Sequence, residues 1–182
     1  MAEYYITDYV SFQNIAWKVQ AGDIIYFSDA LAGEEILHTG LAYVPSGVTL
    51  NGNPDVSFVF ASSYTYDNSA YFYVYGTFNT NGMEISRRYV ANTIIVDNGG
   101  HYNQTGLITT YQEIGPKVWL NPGATVSFIG TNAYQIIAWS TTDTLAAKLV
   151  LKDSTIYDLN IGGDYTNYSA NIENCLFNTV VL

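Results

Sequence analysis

The stretch YFYVYGTFNTNGMEISRRYV, residues 71–90, determines the fold that we expect from the sequence. Tyr, Phe, Val and Ile lie on both sides of the segment NTNG at 79–82, and runs of this composition bounded by turn residues predict strands. Asn81 and Gly82 can both adopt the positive φ that tight hairpin turns require. The stretch therefore predicts two antiparallel strands, 70–78 and 83–90, joined by a short turn.

The same strand-and-turn pattern recurs along the whole chain. Turns rich in Gly and Asn at 97–104 and 160–165 separate runs of β-branched and aromatic residues, and a first strand is predicted at 4–12. The best helical candidate, DALAGEEILH at 29–38, is interrupted by Gly33. Many short strands spaced about 8–12 residues apart predict a sandwich or a barrel. We therefore expect an all-β protein with one antiparallel β-sandwich domain over residues 1–182, of jelly-roll type with additional hairpins.

Two segments resemble each other, KVQAGDIIYF at 18–27 and KVWLNPGATVSF at 117–128. Both contain Lys-Val, a turn with Gly, and a Phe five residues after that Gly. A second pair is formed by LNGNPDVSFV at 50–59 and LNPGATVSFI at 120–129. Because turn-plus-strand patterns are common in β-rich chains, the similarity predicts related hairpins more than duplicated domains.

Charge narrows the range of partners. Six Lys and Arg against sixteen Asp and Glu give a formal net charge of −10, which repels nucleic acid and anionic membranes. Apolar runs such as AYQIIAW are far shorter than the ~20 residues that cross a bilayer, so no membrane insertion is expected. Only 12% of the residues are charged, which is typical of proteins displayed outside the cytoplasm. We expect an extracellular or virion-surface location, although no signal peptide is visible in the acidic segment MAEYYITDY.

The sequence offers few residues for catalysis, metal binding or cofactor chemistry. His38 and His101 are the only histidines, and the single cysteine, Cys175, is expected to be buried and inert. Glu34, Glu35 and His38 form one Glu-x-x-His motif, which without a second copy predicts a solvated loop with an incidental histidine. We therefore expect no enzymatic activity, no cofactor and no catalytic metal.

A weak calcium candidate lies in DLNIGGDYTNYS at 158–169. Asp158, Asn160 and Asp164 fall at oxygen-ligand positions of an EF-hand type of loop. Gly162 and Ser169 break the pattern, because glycine has no side-chain ligand and serine cannot replace a bidentate glutamate. A tight β-turn in which Asp and Asn bond to their own backbone explains the same residues.

The main candidate surface consists of five tyrosines in SSYTYDNSAYFYVYGTF at 62–78: Tyr64, Tyr66, Tyr71, Tyr73 and Tyr75. If 67–70 form a four-residue loop, all five rings share one sheet face. If 67–69 form a three-residue loop, Tyr64 and Tyr66 point to the opposite face. A tyrosine face fits ordinary half-buried sheet surface, a subunit interface or a sugar-stacking platform.

Low charge favours the subunit interface, because Lys and Glu are depleted where subunits meet. We therefore expect a structural, self-assembling β-protein that binds copies of itself, such as a virion capsid, tail or surface-appendage component. The alternative is a carbohydrate-binding lectin or fibre-tip module that binds glycans through tyrosines and amides, and an enzyme ranks third. Trp17, Trp119 and Trp139 lie in apolar segments, and core burial is expected for each.

Overall fold

The chain folds as a parallel β-solenoid. The computed structural model describes residues 1–38, 41–60, 71–87, 93–106, 117–139, 146–162 and 168–181. Every strand pair in these ranges is parallel. The all-β class is confirmed, but the antiparallel β-sandwich of jelly-roll type is wrong. The reason is that each strand pairs with a strand in the previous or the next turn of the solenoid. None of these pairs is formed by two strands joined through a hairpin.

The described residues contain one α-helix, one 3-10 helix and eighteen strands. In chain order these are β1 Glu3–Ile6, α1 Tyr9–Ala16, β2 Ile24–Phe27, the 3-10 helix Asp29–Leu31, β3 Glu35–His38, β4 Leu41–Val44, β5 Thr49–Asn51, β6 Ser57–Phe60, β7 Tyr71–Val74, β8 Thr77–Asn79, β9 Glu84–Arg87, β10 Thr93–Val96, β11 His101–Thr105, β12 Lys117–Leu120, β13 Thr125–Ile129, β14 Asn132–Trp139, β15 Ala147–Lys152, β16 Thr155–Gly162, β17 Tyr168–Glu173 and β18 Leu176–Val181.

The strands form three sheets that run along the solenoid axis. The eight-stranded sheet has the order β1-β2-β5-β8-β11-β13-β15-β17, the seven-stranded sheet β4-β7-β10-β12-β14-β16-β18, and the three-stranded sheet β3-β6-β9. Each turn of the chain is a rung. Thr77, His101 and Thr125 hold the same position in successive rungs, 24 residues apart each time. With neighbouring strands about 4.8 Å apart, the eight-stranded sheet extends over roughly 34 Å.

The stretch 71–90 shows why the hairpin prediction fails. Its three strands, β7, β8 and β9, belong to three different sheets. Asn81 and Gly82 do adopt positive φ, 51° and 87°, but they form a corner between two sheets. Gly76 forms the preceding corner, where a Cβ would lie 2.2 Å from the carbonyl oxygen of Pro45. Only glycine allows the backbones of neighbouring rungs to approach this closely.

The two Lys-Val segments are similar because they form the same corner of the solenoid in two different rungs. Gly22 and Gly123 lie two residues before β2 and β13, with φ of 93° and 78°. Gly47 and Gly99 hold the same place before β5 and β11, with φ of 74° and 75°. This left-handed backbone favours glycine. The prediction of related hairpins is therefore wrong, and the similarity reflects the solenoid repeat.

Inward-pointing side chains stack from rung to rung. Phe78 and Tyr102 are aligned in one such column, with ring centroids 5.5 Å apart, and Phe128 contacts Tyr102 diagonally from the next rung at 5.9 Å. All three side chains are fully buried. Because burial of a side chain such as Phe stabilises a fold by about 1.5–3 kcal/mol, these columns hold the rungs together along the axis.

The helix α1 covers the N-terminal end of the stack. Asp8 caps it, since its carboxylate accepts the backbone N–H of Ser11 at 2.6 Å, and the Ser11 Oγ accepts the backbone N–H of Asp8 at 3.1 Å. Phe12 and Ile15 are buried, and α1 contacts β1, β3 and β4, the first strand of each sheet. The first predicted strand is therefore wrong over α1, because a helix of two turns is too short to reveal its period in the sequence.

Candidate interaction surfaces

Tyr71, Tyr73 and Tyr75 lie together on the outer face of the seven-stranded sheet. Alternation along β7 places Phe72 and Val74 in the core, where neither is exposed. The ring centroid of Tyr73 lies 6.5 Å from that of Tyr71 and 5.8 Å from that of Tyr75. The three rings share one face, as both predicted loop lengths require.

Tyr64 and Tyr66 lie outside the described residues. The predicted hairpin that would join them to β7 is wrong, because β7 pairs in parallel with β4 on one side and β10 on the other.

Tyr43 and Trp17 extend the group of exposed rings. Tyr43 is aligned with Tyr73 across the β4–β7 pair, and its ring centroid lies 6.4 Å from that of Tyr75. Trp17 follows α1, lies edge-on to Tyr43 at 6.0 Å and is 80% exposed. The prediction of core burial is therefore wrong for Trp17. We call Trp17, Tyr43, Tyr71, Tyr73 and Tyr75 the aromatic strip.

The strip continues along the solenoid axis as a row of apolar side chains. Tyr73, Ile95, Trp119 and Ile137 are aligned across β7, β10, β12 and β14. Trp119 is half-buried on this outer face, so the prediction of core burial is wrong for it as well. The side chain of Trp139 lies outside the described part of the structure.

The Tyr75 hydroxyl in the aromatic strip is protonated near neutral pH. Burial raises the pKa of the Tyr75 hydroxyl above its ordinary value of 10.0, and the carboxylate of Asp97 raises it further. Asn121 donates a hydrogen bond from Nδ2 to Asp97 Oδ1 at 3.4 Å, which helps to hold that carboxylate at the edge of the strip. Tyr75 therefore keeps its proton and can donate a hydrogen bond to a ligand.

The other end of the solenoid differs from the helix-covered N-terminal end. Among the described strands, β17 pairs only with β15, and β18 pairs only with β16. Ile172 continues the core column below Leu151, and Val180 continues the one below Leu159. Ile172 is 45% exposed and Val180 46% exposed, whereas the two leucines are buried. We call the uncovered surface of β17 and β18 the open end.

The outer face of the eight-stranded sheet is polar. Asn51, Asn79 and Asn103 are aligned in successive rungs. Asn79 donates from Nδ2 to Asn51 Oδ1 at 3.0 Å, and Asn103 donates from Nδ2 to Asn79 Oδ1 at 2.8 Å. This amide ladder connects three rungs on the side away from the aromatic strip's sheet.

The prediction that His38 lies in a solvated loop is wrong. It is fully buried at the end of β3 against three phenylalanine rings, with centroid distances of 5.7, 5.2 and 5.9 Å. Its Nε2 lies 3.2 Å from the carbonyl oxygen of Tyr71. Glu34 and Glu35 are exposed, so the Glu-x-x-His residues do not converge. His101 is exposed.

Two of the three calcium candidates lie in a strand. Asp158 and Asn160 belong to β16, and Asp158 Oδ2 accepts a hydrogen bond from Gln135 Nε2 at 2.6 Å. Asp164 lies outside the described residues, and calcium binding stays a prediction. Cys175, expected to be buried, is half-buried and packs against the core. In the described ranges, no cluster of three His, Cys, Asp or Glu side chains could hold a metal ion, and no helix could span a bilayer.

Sequence reasoning missed Tyr43, the exposure of Trp17, and the open end. The signal for Trp17 was the Asp8–Ser11 capping box, which places a helix just before it. The signal for Tyr43 was its place four residues before the corner at Gly47, but only the solenoid repeat gives that place a meaning. Comparison with protein-family models, curated proteins and solved structures gave no match to this chain.

Proposed function

We propose that the protein is a structural component that assembles with a second copy of itself through the open end. The observation that carries the proposal is the exposed apolar end of the core on β17 and β18. Ile172 and Val180, which continue core columns, are 45% and 46% exposed, and Leu176 on the outer face of β18 is 70% exposed. A strand edge that carries apolar side chains is a template for pairing with another chain. Repeat stacks also need their terminal faces covered to remain soluble.

Two open ends fit each other better than an open end fits the N-terminal end. The N-terminal end is already covered by α1, with Phe12 and Ile15 buried beneath it. Two open ends can meet about a two-fold axis, which sets β17 and β18 antiparallel to their counterparts in the second copy. Such a contact closes on itself, so we expect a dimer with one α1 cap at each outer tip.

Charge permits this contact and makes it dependent on salt. Residues 168–181, which include β17 and β18, contain a single charged residue, Glu173, and its carboxylate is paired with Lys152 at 3.4 Å. Few like charges therefore face each other across the seam. The net charge of −10 still opposes association at low ionic strength, so the dimer should strengthen as salt rises.

A repeat stack suits a fibre, a tail or a surface appendage, because its length follows from the number of rungs. The expected capsid role depended on the jelly roll and is not proposed. The extracellular or virion-surface location and the lack of enzymatic activity stay predictions.

Light scattering on two matched variants tests the proposal. Ile172→Lys places a charge on the open end, and Ile129→Lys makes the same change at a site that is 43% exposed in the middle of the stack. The parent and Ile129→Lys should have twice the 20.1 kDa monomer mass at moderate salt, whereas Ile172→Lys should be monomeric. A parent that remains monomeric as salt and protein concentration rise would contradict the proposal, and so would a dimeric Ile172→Lys.

A further inference from the structure

We infer that the aromatic strip is a binding site for an extended, neutral glycan chain. The residues of the strip lie on β4 and β7 or directly after α1 and β7, at the start of the solenoid. The open end is formed by β17 and β18 at the other end. A substitution in one surface should therefore leave binding by the other unchanged, and the two proposals can be tested separately.

The chemistry of the strip matches the two faces of a sugar ring. Tyr and Trp combine an apolar ring with an O–H or N–H at the edge, and they are used where one side of a contact is apolar and the other wet. A pyranose ring has the same character, with C–H groups on its faces and hydroxyls around its edge. The Tyr75 hydroxyl is held in its protonated form and can bond such a hydroxyl.

The spacing of the rings favours an extended ligand. Along β7, the ring centroids of Tyr71, Tyr73 and Tyr75 are separated by 6.5 and 5.8 Å. Across the rungs, Tyr43 lies 6.4 Å from Tyr75 and 6.0 Å from Trp17. Tyr73 and Tyr75 are nearly parallel, with 6° between their planes, whereas Trp17 stands edge-on to Tyr43 at 89°. The strip therefore offers a row of ring faces and edges to an extended chain, rather than one pocket for a single small molecule.

The area of the strip is too small for a stable protein interface. Trp17 is 80% exposed, and Tyr71 and Tyr75 are 38% and 37% exposed. With about 200–250 Å² for a fully exposed aromatic side chain, these three rings offer roughly 350 Å², and the half-buried Tyr43 and Tyr73 raise the total to at most about 500 Å². A stable interface between proteins buries about 800 Å² on each partner. An oligosaccharide needs much less surface, so the strip fits a glycan better than a second copy of the chain.

The charges at the edges of the strip favour a neutral glycan. The carboxylate of Asp97 acts on Tyr75 at one edge of the strip and would repel an anionic sugar there. The chain as a whole carries −10, which repels anionic polysaccharides.

Affinity electrophoresis tests this inference. The parent protein is run in native gels that contain a neutral polysaccharide, hydroxyethyl cellulose or galactomannan, and in gels with anionic polygalacturonate. The matched control is Tyr5→Ala, because Tyr5 is 55% exposed and stacks on Tyr26 at 5.5 Å on a different sheet. We expect a neutral gel to retard the parent and Tyr5→Ala, and Trp17→Ala or Tyr73→Ala to weaken binding about tenfold, as expected for the loss of one stacking contact.

Several results would overturn the inference. They are the absence of retardation of the parent in both neutral gels, stronger retardation by polygalacturonate, and equal weakening by Tyr5→Ala. Light scattering on Trp17→Ala and Tyr73→Ala separates the remaining alternative, because a lower assembly mass without glycan retardation of the parent would make the strip a subunit contact instead.

Discussion

Phe12→Ala should remove the main contact between α1 and the stack that it covers. The Phe12 side chain is 1% exposed. Its ring contacts one phenylalanine from each of the three sheets: Phe27, Phe58 and Phe72, at centroid distances of 6.4, 6.1 and 5.8 Å. Truncation of a buried Phe to Ala costs about 3–5 kcal/mol. Since each kcal/mol lowers the melting temperature of a chain of this size by about 2–4 °C, we expect a decrease of roughly 12 °C.

Urea denaturation followed by circular dichroism, together with calorimetry, measures this loss. The matched control is Asn14→Ala, because Asn14 is exposed on the same helix and its replacement should change the free energy of unfolding by less than about 0.5 kcal/mol. If Phe12→Ala lost no more stability than Asn14→Ala, α1 would not be energetically coupled to the stack, and the argument that it closes the N-terminal end would fail.

Gly100→Ala should destabilise the fold more than Gly99→Ala in urea, because a Cβ on Gly100 would lie 2.0 Å from the carbonyl oxygen of Val74 in the previous rung, whereas one on Gly99 meets nothing within 4 Å and bears only the strain of its φ of 75°. Similar losses in the two variants would argue against the close corner. Asp23→Asn should reduce the loss of folding stability on acidification. Two backbone N–H groups hold the pKa of Asp23 below its ordinary 3.8, so the stability that its carboxylate contributes is present above pH 3.8 and is lost as the pH falls through the lower folded pKa. The same loss of stability on acidification in the parent and in Asp23→Asn would refute this. Asn79→Ala should cost about 1–2 kcal/mol and more than Asn103→Ala, because it breaks both bonds of the amide ladder instead of one, and equal losses would count against the ladder.

Local structure could be predicted from the sequence because its signals are local. Alternation along β7 placed Phe72 and the neighbouring tyrosines on opposite faces, and Asn81 and Gly82 adopt the expected positive φ. Strand pairing has no such local signal. The partners of Tyr73 are Tyr43 and Ile95, 30 and 22 residues away along the chain. Alternation of side chains is the same in parallel and antiparallel sheets, so it could not distinguish a solenoid from a sandwich.

The sequence repeat that distinguishes a solenoid from a sandwich is difficult to detect, because few residues recur at the same position of successive rungs. Gly22, Gly47, Gly99 and Gly123 mark one corner, but the rung between the second and third of them turns without a glycine at that position. The exposed surfaces were harder still to predict. Trp17 is exposed only because α1 ends immediately before it, and the exposure of β17 and β18 depends on how many rungs lie on each side of them.

The rungs differ in their number of residues, and this has a consequence for the length of the solenoid. Thr49 and Thr77 are aligned although they are 28 residues apart, whereas Thr77 and His101 are aligned at 24. The connections between strands thus absorb four extra residues while the next strands keep their alignment. Whole turns, such as residues 101–124, are then units of length that could be added or removed without altering either tip. The distance between the two tips can change in increments of about 4.8 Å, independently of what each tip binds.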